Sequence, residues 1–437
     1  MTRLLVLAVL LVASAAAQPA DTLGARADAL VAPYVALGMF DGVVLLARGD
    51  TVLVNAGYGM ASHEHAVPNT PDTRFRIASV SKPFTALAIG TLYGGGRLTP
   101  ETTLDRFAPA VPQADEITIA HLLAHRSGVV HINDLDWYDD AMQGDLPLDT
   151  LVARIAAEPL DFDPGTDYLY SNGGYALLAH VIERVSGMAY GDHLDRHVLG
   201  PLGLADTAHE RFGALVPRLA RGYQPGPAPG SRVPATTVAP AIKIGGGSLT
   251  STAADLHRFA DALFEDNVVP AAVYDALFGA GPVLYFSGRA PGYNAVVMHN
   301  RTADATVVVL SNSYAVTANS LAPALMGLLL GTAPSLPRYA VDGAPGADRL
   351  ARAAGRYRWP APFETRFELR PTSTGWVYDE VEQAEGRPSA ALPLADGGLL
   401  LTMYDTRCTL TAEAAVLDCT APWTGTPLRI ARDGEAP

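Results

Sequence analysis

The stretch Phe75-Arg76-Ile77-Ala78-Ser79-Val80-Ser81-Lys82-Pro83-Phe84-Thr85 opens an apolar helix pattern, and it contains one of only two lysines in the chain, the other being Lys243. A spacing of three sets Ser79 and Lys82 one turn apart on the same helix face. A serine hydroxyl is a weak nucleophile until a neighbouring base takes its proton. A lysine becomes that base when burial or a nearby cation lowers its pKa. Arginine, which supplies the remaining non-histidine cations, does not deprotonate. One such pair can arise by chance, so its meaning rests on what stands further along the chain.

At 437 residues, 49% of them hydrophobic, the chain is expected to form two domains with sizeable cores. A net charge of -14 argues against nucleic acid and anionic membrane surfaces as partners. Residues 1–17 read as an export signal: Met1-Thr2-Arg3, an apolar run from Leu4 to Ala13, then Ala15-Ala16-Ala17 before Gln18. The run is too short to span a bilayer. No cysteine follows it, so no lipidation site of the bacterial lipoprotein kind is expected. The expected location is periplasmic or secreted. Cys408 and Cys419 fit that compartment. A turn at Glu413-Ala414 would place them opposite each other on paired strands, close enough for a disulfide, with two buried free thiols as the alternative.

Residues from Asp21 to Leu37 have helical spacing. Gly42 to Ala56 reads as a hairpin turning at Arg48-Gly49-Asp50. The Ser79 helix should stop at Gly94-Gly95-Gly96, which lacks the lysine tail of a phosphate loop. Further helices centre on Ile119 to His125, Tyr175 to Ser186, Ala253 to Phe264 and Ser320 to Leu330. Strands return at Val283 to Ser287, Tyr293 to Asn300 and Ala305 to Asn312. This order predicts an α+β domain over 18–332: an antiparallel sheet flanked by helices, with a helical subdomain. A Pro/Gly/Ala-rich linker covers 333–347. Beyond it, 348–437 reads as short alternating strands, a small all-β sandwich or barrel.

On these motifs the chain resembles the serine β-lactamase and penicillin-binding-protein-like superfamily, nearest to its class C-like esterase and D-aminopeptidase branch. Serine-x-x-lysine stands at Ser79-Val80-Ser81-Lys82. Tyrosine-x-asparagine stands at Tyr170-Ser171-Asn172. The phrases His121-Leu-Leu-Ala-His-Arg-Ser-Gly-Val and Gly245-Gly-Gly-Ser-Leu-Thr-Ser-Thr-Ala-Ala-Asp-Leu look like the same branch. The resemblance implies that Tyr170 shares the base function with Lys82, whose ammonium would lower the phenol's pKa. It also implies that Asn172 bonds Lys82 and a substrate amide. The third motif departs from the pattern: Phe286-Ser287-Gly288 stands where the family has lysine or histidine first. That cation helps hold a substrate carboxylate, so penicillin-like recognition should be weakened, with Arg289 or Lys243 as conceivable replacements. Lys243 otherwise reads as a solvated surface lysine. The oxyanion hole needs only backbone amides, here those of Ser79 and Arg289. The 348–437 region resembles the lipocalin-like modules that follow such hydrolase domains, either shaping access to the site or riding passively.

His121 and His125 lack the glutamate and third ligand of a zinc site and read as structural histidines; no metal or cofactor is implied. The loop from His131 to Asp145 carries Asp134, Asp136, Asp139, Asp140 and Asp145 around Trp137-Tyr138. It is either an ordinary solvated loop or an acidic rim with an aromatic floor. The reading is an exported serine hydrolase acting on small esters or short D-residue peptides and amides. The rivals are a β-lactamase or D,D-carboxypeptidase and a catalytically silent binding protein. The sequence does not give the oligomeric state.

Overall fold

Strand β1 (Gly42–Arg48) is an unbroken apolar run because both of its faces are buried. Val43, Leu45 and Ala47 face one core while Val44 and Leu46 face another. It pairs with β2 (Thr51–Tyr58) in the expected hairpin. The remaining sheet strands are β3 (Val283–Ala290), β4 (Tyr293–Asn300) and β5 (Ala305–Ser311). All neighbours are antiparallel in the order β3-β4-β5-β1-β2, so β3 is an edge strand.

The computed structural model describes residues 22–265, 281–332 and 353–432, the last interrupted at 360–365, 373–374, 381–387, 395–397, 411–415 and 421–426. The expected export signal, the linker and the Glu413-Ala414 turn lie outside the described residues.

One sheet face is covered by α1 (Leu23–Ala36) and, near the end of the domain, by the helix Thr317–Leu329, which bury Ala27, Val31, Leu321 and Leu325 against Val44, Leu46, Val307 and Val309. The other face is covered by the helix Ala253–Glu265, here α5, and the core built on it continues into α2 (Lys82–Gly94), α3 (Ile119–Leu123) and α4 (Asn172–Ser186). Helix α2 is buried on nearly every side, with Phe84 stacked on Phe259 at 3.7 Å between ring centroids. The largely apolar sequence after Lys82 therefore reflects a central helix and not an amphipathic surface one.

The C-terminal region is a closed eight-stranded antiparallel barrel, β6 to β13, running from Gly355–Arg358 to Pro427–Arg432. Cys408 and Cys419 are directly opposed in register and joined by a disulfide. The barrel is not a detached appendage. Ala390, Leu392, Leu394 and Leu400 belong to the same apolar cluster as Leu321 and Leu325. Two backbone bonds cross the seam, from Ala390 N–H to the Gly226 carbonyl (2.9 Å) and from Val316 N–H to the Met403 carbonyl (3.0 Å). Among the described residues no helix is long and apolar enough to cross a membrane.

Candidate active site

Ser79 lies in a 3-10 turn, Ala78–Ser81, that runs directly into α2. Ala78 before it has φ of 46°, a left-handed conformation that costs a non-glycine residue roughly 1–3 kcal/mol. The turn lifts Ser79, partly exposed, between buried Ala78 and Val80. It also leaves the Ser79 amide at a helix start, where N–H groups lack intrahelical acceptors.

The expected trio converges here. Lys82 Nζ is 3.3 Å from Ser79 Oγ, and the Tyr170 hydroxyl donates to the same oxygen at 2.7 Å. Lys82 Nζ also donates to Asn172 Oδ1 at 2.8 Å and to the Gly246 carbonyl at 2.9 Å. The Gly246 carbonyl was not foreseen from sequence. The glycine run allows it: a Cβ on Gly245 would sit 2.1 Å from the Tyr175 carbonyl, and one on Gly246 would crowd Asn172 and Lys82.

The tyrosine-x-asparagine segment is held from behind. Ser171 caps α4 through Gly174 N–H, and its own hydroxyl donates to the Val130 carbonyl. His125 Nδ1 accepts the Ser171 N–H at 3.1 Å, and His131 Nδ1 accepts the Asn172 N–H at 3.3 Å. His125 has left the α3 face, with φ of 56°, while His121 caps that helix at Thr118. One Asn172 amide hydrogen is already committed to Asn133 Oδ1 at 2.8 Å, so only the other could reach a substrate. Asn133 carried no signal in the sequence.

Burial decides the charges. Lys82, in contact with carbonyl and hydroxyl oxygens, is held well below the ordinary lysine value by desolvation and then by the cation of Lys243. Burial pushes Tyr170 up to about 12, against a smaller lowering from its bond to Ser79. The resemblance implied a phenol lowered by Lys82; here burial shifts it the other way. His125 is pushed down to about 3 by burial and then by Lys82, so it stays neutral.

Lys243 is not a solvated surface lysine. It is partly buried, hydrogen-bonded to the Tyr138 hydroxyl, with its ammonium 4.8 Å from that ring's centre. Asn133 Nδ2 donates to the same hydroxyl at 3.1 Å. Hydrogen bonds therefore connect both lysines of the chain through Asn172, Asn133 and Tyr138.

A cavity of about 330 Å³ opens over Ser79 and is lined by Lys82, His125, Tyr168, Tyr170, Tyr175, Tyr285, Phe286 and Ser287, with Pro83, Leu123 and Ala124. Lys82 is its one lysine or arginine, and it contains no carboxylate. Phe286 packs onto the main core, so the third motif's first position supplies ring surface in place of a cation. Neither conceivable replacement enters. Lys243 is occupied as described, and the Arg289 side chain turns away, donating from Nε to the Tyr314 carbonyl at 3.0 Å. The acidic loop does not line the cavity either. Asp134, Asp136, Asp139, Asp140 and Asp145 are exposed, Tyr138 is buried, and Trp137 donates to Glu158. The aromatic floor is instead Tyr170, Tyr175 and Phe286, with Tyr168 and Tyr285 exposed at the mouth.

Strand β3 brings the third motif to Ser79. The two-residue turn pairs Ala290 with Tyr293, so alternation makes Gly288 and Ala290 the hydrogen-bonded positions toward β4. The Ser287 and Arg289 amides then project from the free edge. Gly288 lies so close to the nucleophile's turn that a Cβ there would sit 2.8 Å from Ser79 N.

Among the described residues no cluster of three or more histidine, cysteine, aspartate or glutamate side chains could hold a metal.

Comparison with known proteins agrees with this geometry. A penicillin-binding protein of Bacillus subtilis (strain 168) is 29% identical over 316 residues, covering 62% of this chain and 68% of the relative. Esterase EstB of Burkholderia gladioli is 33% identical over 203 residues, covering 43% of this chain and 52% of the esterase. The structure of D-amino acid amidase from Ochrobactrum anthropi SV3 matches with a TM-score of 0.61 and 23% identity, over 71% of this chain and 99% of the amidase. The sequence profile of the beta-lactamase family matches residues 27–330, and the chain accordingly belongs to that family and is a serine hydrolase.

Proposed function

We propose that the protein is an exported esterase that hydrolyses small uncharged esters through a Ser79 acyl-enzyme. The observation that carries this reading is the cavity wall: aromatic on several sides, with neither a free cation for a carboxylate nor a carboxylate for an ammonium. Penicillins and D,D-peptides carry the first group and D-amino-acid amides the second, so both lack a partner in this wall. The similarity to esterase EstB points the same way.

The chemistry follows from hydrogen-bond capacity. A neutral lysine amine has two hydrogens and one lone pair. The Asn172 and Gly246 oxygens take the hydrogens, which leaves the lone pair for the Ser79 hydroxyl. As Ser79 Oγ bonds to the ester carbon, its proton passes to Lys82. The carbonyl oxygen becomes an oxyanion between the amides of Ser79 and Arg289. As the oxyanion collapses and the bond to the alkoxy oxygen breaks, Tyr170, a neutral phenol, gives its proton to the leaving alkoxide and regains one from the Lys82 ammonium. Water then attacks the acyl carbon as the neutral Lys82 amine takes its proton, and collapse of that intermediate breaks the bond to Ser79 Oγ, which recovers the proton from Lys82 as the acid leaves.

Turnover of p-nitrophenyl acetate and butyrate, compared with nitrocefin and D-phenylalanine amide, tests the substrate class. Ser79→Ala is expected to abolish ester hydrolysis, and Lys82→Ala to lose nearly as much because the trio acts as a unit. Wild-type turnover by Ser79→Ala would end the mechanism. A higher kcat/KM for nitrocefin or the amide than for the esters would end the substrate assignment.

A further inference from the structure

Arg289 supplies an oxyanion amide in the reading above, yet its side chain belongs to a different structure. Its guanidinium lies 3.9 Å from the centre of the Tyr314 ring and 5.3 Å from that of Tyr404, a residue of the C-terminal barrel. Tyr404 is itself anchored in the barrel's aromatic core, 5.1 Å from Trp359 and 6.1 Å from Tyr378 between ring centroids. Tyr378 fixes the same turn by accepting the Met403 N–H at 2.7 Å, and the Met403 carbonyl accepts Val316 N–H from the hydrolase domain. An unbroken series of contacts thus runs from the barrel interior to the residue whose amide faces Ser79.

The position of this series matters. Strand β3 is an edge strand, hydrogen-bonded to a neighbour on one side only. An oxyanion donor must be held to within about half an ångström to be effective. The Asn319 side chain steadies β3 earlier along the strand, donating to Ser287 Oγ and Tyr285 at 2.8 Å each. At Arg289, next to the open turn, the stacked guanidinium provides the corresponding hold. Guanidinium against an aromatic face is favourable and strengthens as water is excluded.

We propose that the C-terminal barrel braces the oxyanion edge, with Tyr404 as a positioning residue that acts through the Arg289 side chain. This rests on the Arg289 amide being an oxyanion donor. The test uses the full-length protein, a p-nitrophenyl ester, and rates normalised to sites titrated with a fluorophosphonate. Tyr404→Ala is expected to lower kcat about tenfold with KM within about twofold, because the loss falls on the transition state. Tyr404→Phe keeps the ring face and should retain wild-type kcat. Arg289→Met should reproduce the defect, and Tyr404→Ala combined with it should add nothing, since the two act as one contact. Additive losses in the double variant would overturn the brace and leave a general destabilisation. So would Tyr404→Ala with wild-type kcat, while an inactive Ser79→Ala kept the esterase reading intact. An active Ser79→Ala would instead remove the reading on which the brace stands.

Discussion

Gly288→Ala is the substitution whose consequence can be worked most directly from the structure. An added Cβ would sit 2.2 Å from the Ile77 carbonyl oxygen, 2.8 Å from Ser79 N and 3.0 Å from Val80 N. All three are backbone atoms, so no side chain can rotate aside. Favourable non-bonded contact begins near ~3.5 Å, so β3 and the nucleophile's turn must separate by about 1 Å. A displacement of about 1 Å at reacting groups costs on the order of 100-fold in rate, which is about 2.7 kcal/mol at ~1.36 kcal/mol per tenfold. The cavity walls contributed by Tyr168, Tyr170 and Tyr175 lie on other elements and stay in place. The loss is therefore expected in kcat, with KM changed by less than about threefold. Overpacking should also lower stability by roughly 1–3 kcal/mol. Stopped-flow acylation with a p-nitrophenyl ester, alongside a thermal melt, reads both quantities. A folded Gly288→Ala protein with kcat within about twofold of wild type would refute the reasoning, because the edge would then not need to touch the Ser79 turn.

Three further outcomes follow from the same geometry. Lys243→Met removes the cation that helps burial keep Lys82 neutral. Catalysis needs the free amine and fades as pH falls through the Lys82 pKa. Raising that pKa therefore moves the acidic limb of kcat/KM to higher pH, whereas Lys243→Arg should leave it in place; identical limbs in all three proteins would exclude the coupling. Phe286→His or Phe286→Lys restores a cation at the cavity wall and should raise acylation by penicillins relative to neutral esters, and flat penicillin rates across the variants would remove that argument. Replacing both Cys408 and Cys419 by serine opens a link of sequence separation 11 between opposed strands. The unfolded chain then gains about 3 kcal/mol of conformational freedom, which a lower melting temperature of the double-serine protein than of the oxidised wild type would register.

The short-range part of this protein was legible in its sequence. Ser79 and Lys82 are three residues apart, and any helical turn there brings them to one face. The hairpin read over Gly42 to Ala56 and the facing cysteines follow from alternation and turn chemistry over a dozen residues. The altered third motif was likewise visible as Phe286-Ser287-Gly288. What tertiary structure alone decided were contacts between distant segments and the charge states that depend on them. The Gly246 carbonyl reaches Lys82 across 164 residues, and Asn133 reaches Asn172 across 39. Gly246 stands in a family-like phrase that does not assign its carbonyl to Lys82, and Asn133 has no residue type or spacing that marks it in advance. Tyr170 stays a neutral phenol because burial, which is a property of the whole packed cavity, outweighs any neighbour named in a motif. Lys243 looked like a surface lysine because its local sequence does not reveal that Tyr138, 105 residues away, binds it beneath the site. The union of Arg289 with Tyr404 joins the five-stranded sheet to the C-terminal barrel, and hydrophobic periodicity within either one contains no information about the seam between them.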